Sequence, residues 1–412
     1  MKRQGFSWLV LMDSHTKNSI FWTICIMGTL AILSSTMSKN PILKPFASSL
    51  GTPAEWSGVV GAASTIPGIL ISLPAASLSD IFGRKKFLFT SGFVFASAPF
   101  LYILIVEWWQ LIIVRFYHGF ATAIFVPVAE ASIAEAFPTK RGEKISLFSS
   151  STYVGRGIAP ILGATILTVT NSNFHVLYLA VGVFGLTALL TALPFLFKSK
   201  ESINIQSGKR EDIIPKMFQG WRTTIRNRAV LTVCLVQACQ YYVYGAFEFY
   251  ISGYLKEFIG FDWLLTGIIT ASLIAVPIFA KPYMGRMSDK IGRRIPIVVG
   301  CIISGFPLLA IPFFHQFPIL LLFSVAYGIG FATVTAATPA LISELTPREF
   351  VGTAMGFLDM IMDVGQTIGP IVSGLIFATT LQYAGVFPSF TIVLLFSCAV
   401  FIFSKTSIRK EL

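Results

Sequence analysis

Ser79-Asp80-Ile81-Phe82-Gly83-Arg84-Lys85 and Ser288-Asp289-Lys290-Ile291-Gly292-Arg293-Arg294 are two copies of one short charged stretch, 209 residues apart. The same offset carries Gly119 onto Gly328, Glu135 onto Glu344 and Pro138 onto Pro347. One offset through so many positions marks an internal duplication, and the chain around each copy is a series of long apolar runs. A bilayer core about 30 Å thick takes about 20 apolar residues in a helix. Twelve runs meet that length: 20–47, 57–79, 87–106, 111–136, 145–169, 174–197, 229–255, 264–282, 295–313, 317–343, 352–379 and 385–404. Six precede and six follow a polar, basic linker at 198–228. The expected architecture is an all-α membrane protein, with twelve transmembrane helices in two pseudo-symmetric six-helix bundles, 1–197 and 229–412.

Composition leads to the same class. Apolar residues make up 54% of the 412 and charged residues 12%, against roughly 25% charged in soluble domains. A water-soluble body of this size could not be covered. The net charge of +12 would raise nucleic-acid binding on a soluble chain, but here the charges are topological. Lys and Arg crowd the N-terminus, the 2–3, 4–5 and 8–9 loops, the linker and the C-terminus, while Lys256 alone falls in an outward loop. That bias puts both termini in the cytoplasm and leaves no case for a nucleic-acid partner. The first apolar run has no small-residue cleavage site, so it reads as a spanning helix rather than a signal peptide. In the linker Ile213, Ile214, Met217, Phe218, Trp221 and Ile225 recur at helical spacing, the pattern of a helix lying on the membrane surface. Short loops point to a prokaryotic plasma (inner) membrane protein and to a monomer.

The copies Asp80-Ile81-Phe82-Gly83-Arg84-Lys85-Lys86 and Gly285-Arg286-Met287-Ser288-Asp289-Lys290-Ile291-Gly292-Arg293-Arg294 resemble the signature G-x-x-x-D-x-x-G-R-[KR] of the major facilitator superfamily. Ala76 replaces the first glycine of the amino-terminal copy. The resemblance covers essentially the whole chain. It implies secondary transport by alternating access, with the signature loops as latches. Asp80 can cap a facing helix N-terminus, Gly83 permits the turn, and Arg84 can pair with Glu135 at the end of the fourth span. Asp289, Gly292, Arg293 and Glu344 form the counterpart. Gly155-Arg156-Gly157-Ile158-Ala159-Pro160-Ile161-Leu162-Gly163, echoed by Gly365-Gln366-Thr367-Ile368-Gly369-Pro370, resembles the glycine-proline run of the drug:proton antiporter branch.

Ionisable residues within spans are costly, so each needs a partner, a cavity or a role. Asp359 and Asp363, four apart on one helical face, have the chemistry of a proton relay. Glu248 stands beside Tyr241 and Tyr244 on the seventh span, which lines the central cavity in the resembled family. Arg156 faces either Glu130 as an ion-pair partner or an anionic substrate. Arg115 and His118 are cavity candidates from the fourth span, with pairing near the outer surface as the alternative. Lys39 and Lys44 are expected to snorkel outward. The five cysteines lie in apolar runs and read as core packing; the 38 phenylalanines carry no substrate meaning.

No G-x-x-x-x-G-K-[ST] loop or H-E-x-x-H pair is present, and the four histidines are far apart. Neither an ATP-driven pump nor a metal enzyme fits, and no cofactor or metal is expected. Two uses of the fold remain: proton-coupled export of an amphipathic or drug-like compound, or uptake of an organic anion gripped by Arg156 and Arg115.

Overall fold

A computed structural model describes residues 14–197, 225–347 and 350–404, and among these every regular element is helical. Backbone in hydrocarbon must satisfy its own hydrogen bonds, which a helix does internally. The helices are α1 (Ser14–Met37), α2 (Leu43–Ser49), α3 (Ala54–Ala62), α4 (Ile66–Phe82), α5 (Arg84–Ile103), α6 (Trp108–Ala136), α7 (Arg141–Val169) and α8 (Phe174–Phe197). Beyond the linker come α9 (Arg228–Gly253), α10 (Trp263–Ile291), α11 (Arg294–Ala310), α12 (Phe317–Leu345), α13 (Val351–Phe377) and α14 (Gln382–Phe403). A π-helical turn, Tyr254–Ile259, prolongs α9. Twelve stretches among the described residues are long and apolar enough to cross a membrane, so this is a multi-pass membrane protein.

Contacts divide the chain into two compact units. The first holds the described residues up to Gly51 and from Ala63 to Phe197; the second holds Thr52–Ala62 and the described residues from Ile225 onward. Phe21, Ile24, Phe95, Phe125, Val128 and Phe148 are buried at the centre of the first. Val233, Cys301, Val334, Ile342, Leu358 and Phe401 do the same in the second. Leu186, Phe306, Leu322 and Ile392 point outward, a surface suited to lipid rather than water.

Two spans differ from their expected form. The run 20–47 is not one helix: α1 stops at Met37 and α2 begins at Leu43. Pro41 has no N–H to donate, and a residue preceding proline disfavours the helical conformation. The run 57–79 is likewise interrupted at 63–65, between α3 and α4, where Pro67 opens the first turn of α4. The surface helix expected in the linker lies outside the described residues through Thr224.

Small residues set the closest packing. A Cβ on Gly365 or Gly369 of α13 would overlap the carbonyl oxygens of Ala238 and Tyr242 on α9, and one on Gly155 of α7 would overlap that of Thr29 on α1. The glycine-proline runs thus bring backbone against backbone. Gly369→Leu should therefore lower stability by about 1–3 kcal/mol through overpacking, read as an earlier thermal transition in detergent. Gly157→Leu, where a Cβ meets nothing within 4 Å, should leave that transition in place.

Candidate functional site

Both charged turns are built alike. α4 and α10 end at Gly83 (φ +103°) and Gly292 (φ +85°), a conformation glycine adopts without strain. The arginine after each glycine is thereby aimed at an acid 51 residues further on. Arg84 Nε lies 2.7 Å from Glu135 Oε2, and Arg293 Nε lies 2.8 Å from Glu344 Oε1. Each glutamate sits near the C-terminus of its helix, α6 or α12, where the helix dipole disfavours negative charge. The arginine offsets that penalty. The second turn is richer: Arg293 also pairs with the Asp289 carboxylate and donates to Ser288 Oγ at 2.8 Å. Burial opposes the charge on Arg293, but hydrogen bonds to Glu344 and Asp289 outweigh it and hold its pKa above the usual value. The side chain of Asp80 lies outside the described residues.

In the first unit Arg115 and His118 occupy the core rather than an exposed wall. Arg115 donates to Ser64 Oγ at 2.5 Å, and His118 Nδ1 lies 3.3 Å from the Tyr102 hydroxyl. Tyr102 in turn stacks on Tyr178, with ring centroids 4.5 Å apart. Both side chains are buried, Arg115 at 2% and His118 at 3% exposure. Arg156 makes no ion pair with Glu130 among the described residues. Its guanidinium lies 5.9 Å from the ring of Tyr153, three residues earlier on the same face of α7. Glu130 is half-buried on α6. Lys44 does not snorkel: it is 3% exposed and donates to Ser48 Oγ at 2.7 Å, because the short α2 brings that hydroxyl within reach one turn on.

The second unit gathers a polar-aromatic cluster. Glu248 on α9 is 4% exposed, and the Tyr244 hydroxyl donates to its Oε1 at 3.4 Å. The pair is four residues apart on one helical face. Phe331 of α12 packs against this face, stacked on Tyr244 at 4.9 Å between centroids and edge-on to Tyr241 at 5.3 Å. Tyr327, one turn before Phe331, is fully buried next to it. Lys281 of α10 brings its ammonium to 5.7 Å from the Phe331 centroid, within cation–π range. The assembly has a closed base, Glu248, Tyr327 and Phe331, and a half-buried rim of Tyr241, Tyr244 and Lys281. Apart from it, Asp359 is exposed and Asp363 half-buried on α13; neither carboxylate has a hydrogen-bond or ionic partner among the described residues.

The sequence profile of the Major Facilitator Superfamily matches residues 24–280 and again 266–411. The chain belongs to the Major Facilitator Superfamily. Like other superfamily members it is a membrane transporter, not an enzyme. A multi-drug resistance efflux pump, PmrA of Streptococcus pneumoniae, is 23% identical over 87% of this chain and 89% of its own. An uncharacterised MFS-type transporter of Methanocaldococcus jannaschii is 23% identical over 81% and 85%. The crystal structure of a bacterial homologue of the human lysosomal transporter Spinster, in an inward-facing and unoccupied conformation, superposes with a TM-score of 0.78 at 16% identity. It covers 95% of this chain and 97% of its own, and shows the shared fold.

Three members of this facilitator's cluster escaped the sequence reading: Lys281, Tyr327 and Phe331. Lys281 had a usable signal, since it stands well inside the apolar helix α10 rather than at its end. Tyr327 has one only through the repeat, being the 209-residue counterpart of His118. Phe331 has none, as nothing local separates it from the other phenylalanines.

Proposed function

We propose that this facilitator is a proton-coupled exporter of an amphipathic small molecule. It works as a monomer in a prokaryotic plasma membrane with both termini in the cytoplasm. The observation that carries the reading is the buried Glu248 carboxylate under an aromatic rim. An ionisable side chain inside a span is expected to have a role, and the rings beside this one suit an apolar body with one polar group. Substrate on the rim favours one protonation state of Glu248 and the empty site the other, which couples the two ligands. Asp363, with Asp359 one turn away, supplies a second titratable position on α13. The basic inner loops support the orientation, and the resemblance to an efflux pump supports export. The arginine–glutamate pairs of the signature turns serve as latches between conformations.

Everted membrane vesicles test this directly. With an acid interior, the protein should accumulate a fluorescent amphipathic cation, and Asp363→Asn should lower the rate about tenfold or more, because an amide can neither take up nor release a proton. Normal accumulation by Asp363→Asn removes that residue from the relay. Release of a preloaded organic anion from these vesicles, lost in Arg156→Ala, would replace export by uptake.

A further inference from the structure

We infer that Lys281 is a built-in stand-in for the cationic group of the substrate, held on the aromatic site that the substrate takes over. This rests on the export reading and names its substrate class: compounds joining an apolar body to a permanent or protonated positive charge. An aromatic face attracts a cation through its quadrupole, best of all where water is excluded. Phe331 offers such a face. It is 4% exposed, Tyr244 and Tyr241 stand against it, and Lys281 is the cation it receives. Glu248 places a carboxyl group one hydrogen bond away through Tyr244.

With Lys281 in place, the cluster holds one ammonium and one carboxyl group. A substrate cation entering as Lys281 leaves keeps one positive group in the cluster with Glu248; an anion in its place would set a second acidic group there. The exchange is mechanically easy. Lysine carries its ammonium on four flexible methylenes, and Lys281 is half-buried on the rim. A ligand must therefore out-compete the protein's own ammonium for the Phe331 ring. Weak cations are excluded by that competition, so Lys281 sets specificity as a positioning residue rather than as a substrate contact.

Equilibrium binding of tetraphenylphosphonium to the purified full chain in detergent, with no pH gradient, separates this from the coupling mechanism. Lys281→Met keeps the length and removes the charge; it should bind the cation about three- to tenfold tighter, the range expected for losing one cation–π competitor. Lys281→Arg should bind as the wild type does, and neutral triphenylphosphine oxide should not distinguish Lys281→Met from wild type. Weaker or unchanged cation binding by Lys281→Met, equal tightening for the neutral probe, or no cation binding by either protein overturns the inference. A measurement on the unaltered chain stands beside it: saturating tetraphenylphosphonium should speed acylation of Lys281 by an amine-reactive ester, read by peptide mass spectrometry. Protection of Lys281, or no change, overturns it equally. Loss of gradient-driven export with the binding pattern intact would refute coupling alone.

Discussion

Replacing Glu248 with glutamine should lower gradient-driven accumulation by about 10- to 100-fold while leaving exchange without a gradient. Glutamine keeps the shape and still accepts from the Tyr244 hydroxyl, now 3.4 Å from Oε1, but it can neither take nor release a proton. The magnitude follows from a buried charged hydrogen bond, worth about 1.5–3 kcal/mol against about 0.5–1.5 for a neutral one. Tyr244→Phe removes only the donor and a milder loss, a few-fold, is expected. Counterflow of labelled against unlabelled compound in gradient-free proteoliposomes separates the two effects. If Glu248→Gln still concentrates its substrate against a gradient, proton coupling does not pass through this residue.

The second large effect concerns the signature turns. Arg84→Ala should slow transport about tenfold, and Arg293→Ala less. The partner of Arg84, Glu135, is 29% exposed, whereas Glu344 and Asp289 are 37% and 62% exposed, so solvent screens the second set more. A double exchange, Arg84→Glu with Glu135→Arg, is the sharper experiment. It would place an acid at the start of α5 and a base at the end of α6, which is the arrangement helix dipoles favour. The native polarity is the reverse of that. The exchanged protein should thus melt no earlier than wild type in detergent and recover transport to within a few-fold. Recovery of stability without transport would mean that Arg84 acts on some group other than Glu135.

Much of the architecture was legible because membrane folding obeys a length rule. Twelve apolar runs gave twelve spans, and the 209-residue offset located two arginines whose structural partners lie at the matching positions. Run length could not show where a helix breaks inside a span: the first two runs are interrupted at Ser38-Lys39-Asn40-Pro41 and at Ala63-Ser64-Thr65, short polar stretches flanked by apolar sequence. Side-chain fate was harder still. The sequence offers Arg115, Arg156 and Lys44 only as charges needing a partner; the contacts seen include Ser64 for Arg115, the Tyr153 ring for Arg156 and Ser48 for Lys44. Their partners come from rotation of helices about their axes, which one sequence does not specify. Glu248, Tyr241 and Tyr244 were readable as a group because all three lie on one helix. Lys281 and Phe331 complete the cluster from two others.

The glycine contacts have a mechanical consequence. Where Gly365 and Gly369 rest on the main chain of α9, and Gly155 on that of α1, no side chain intervenes to act as a bearing. Neither couple can twist or slide without parting atoms already touching, so each behaves as a doubled beam. Spin labels placed one on α9 and one on α13 should keep a constant separation through the working cycle, giving spectroscopists a fixed ruler inside a moving machine.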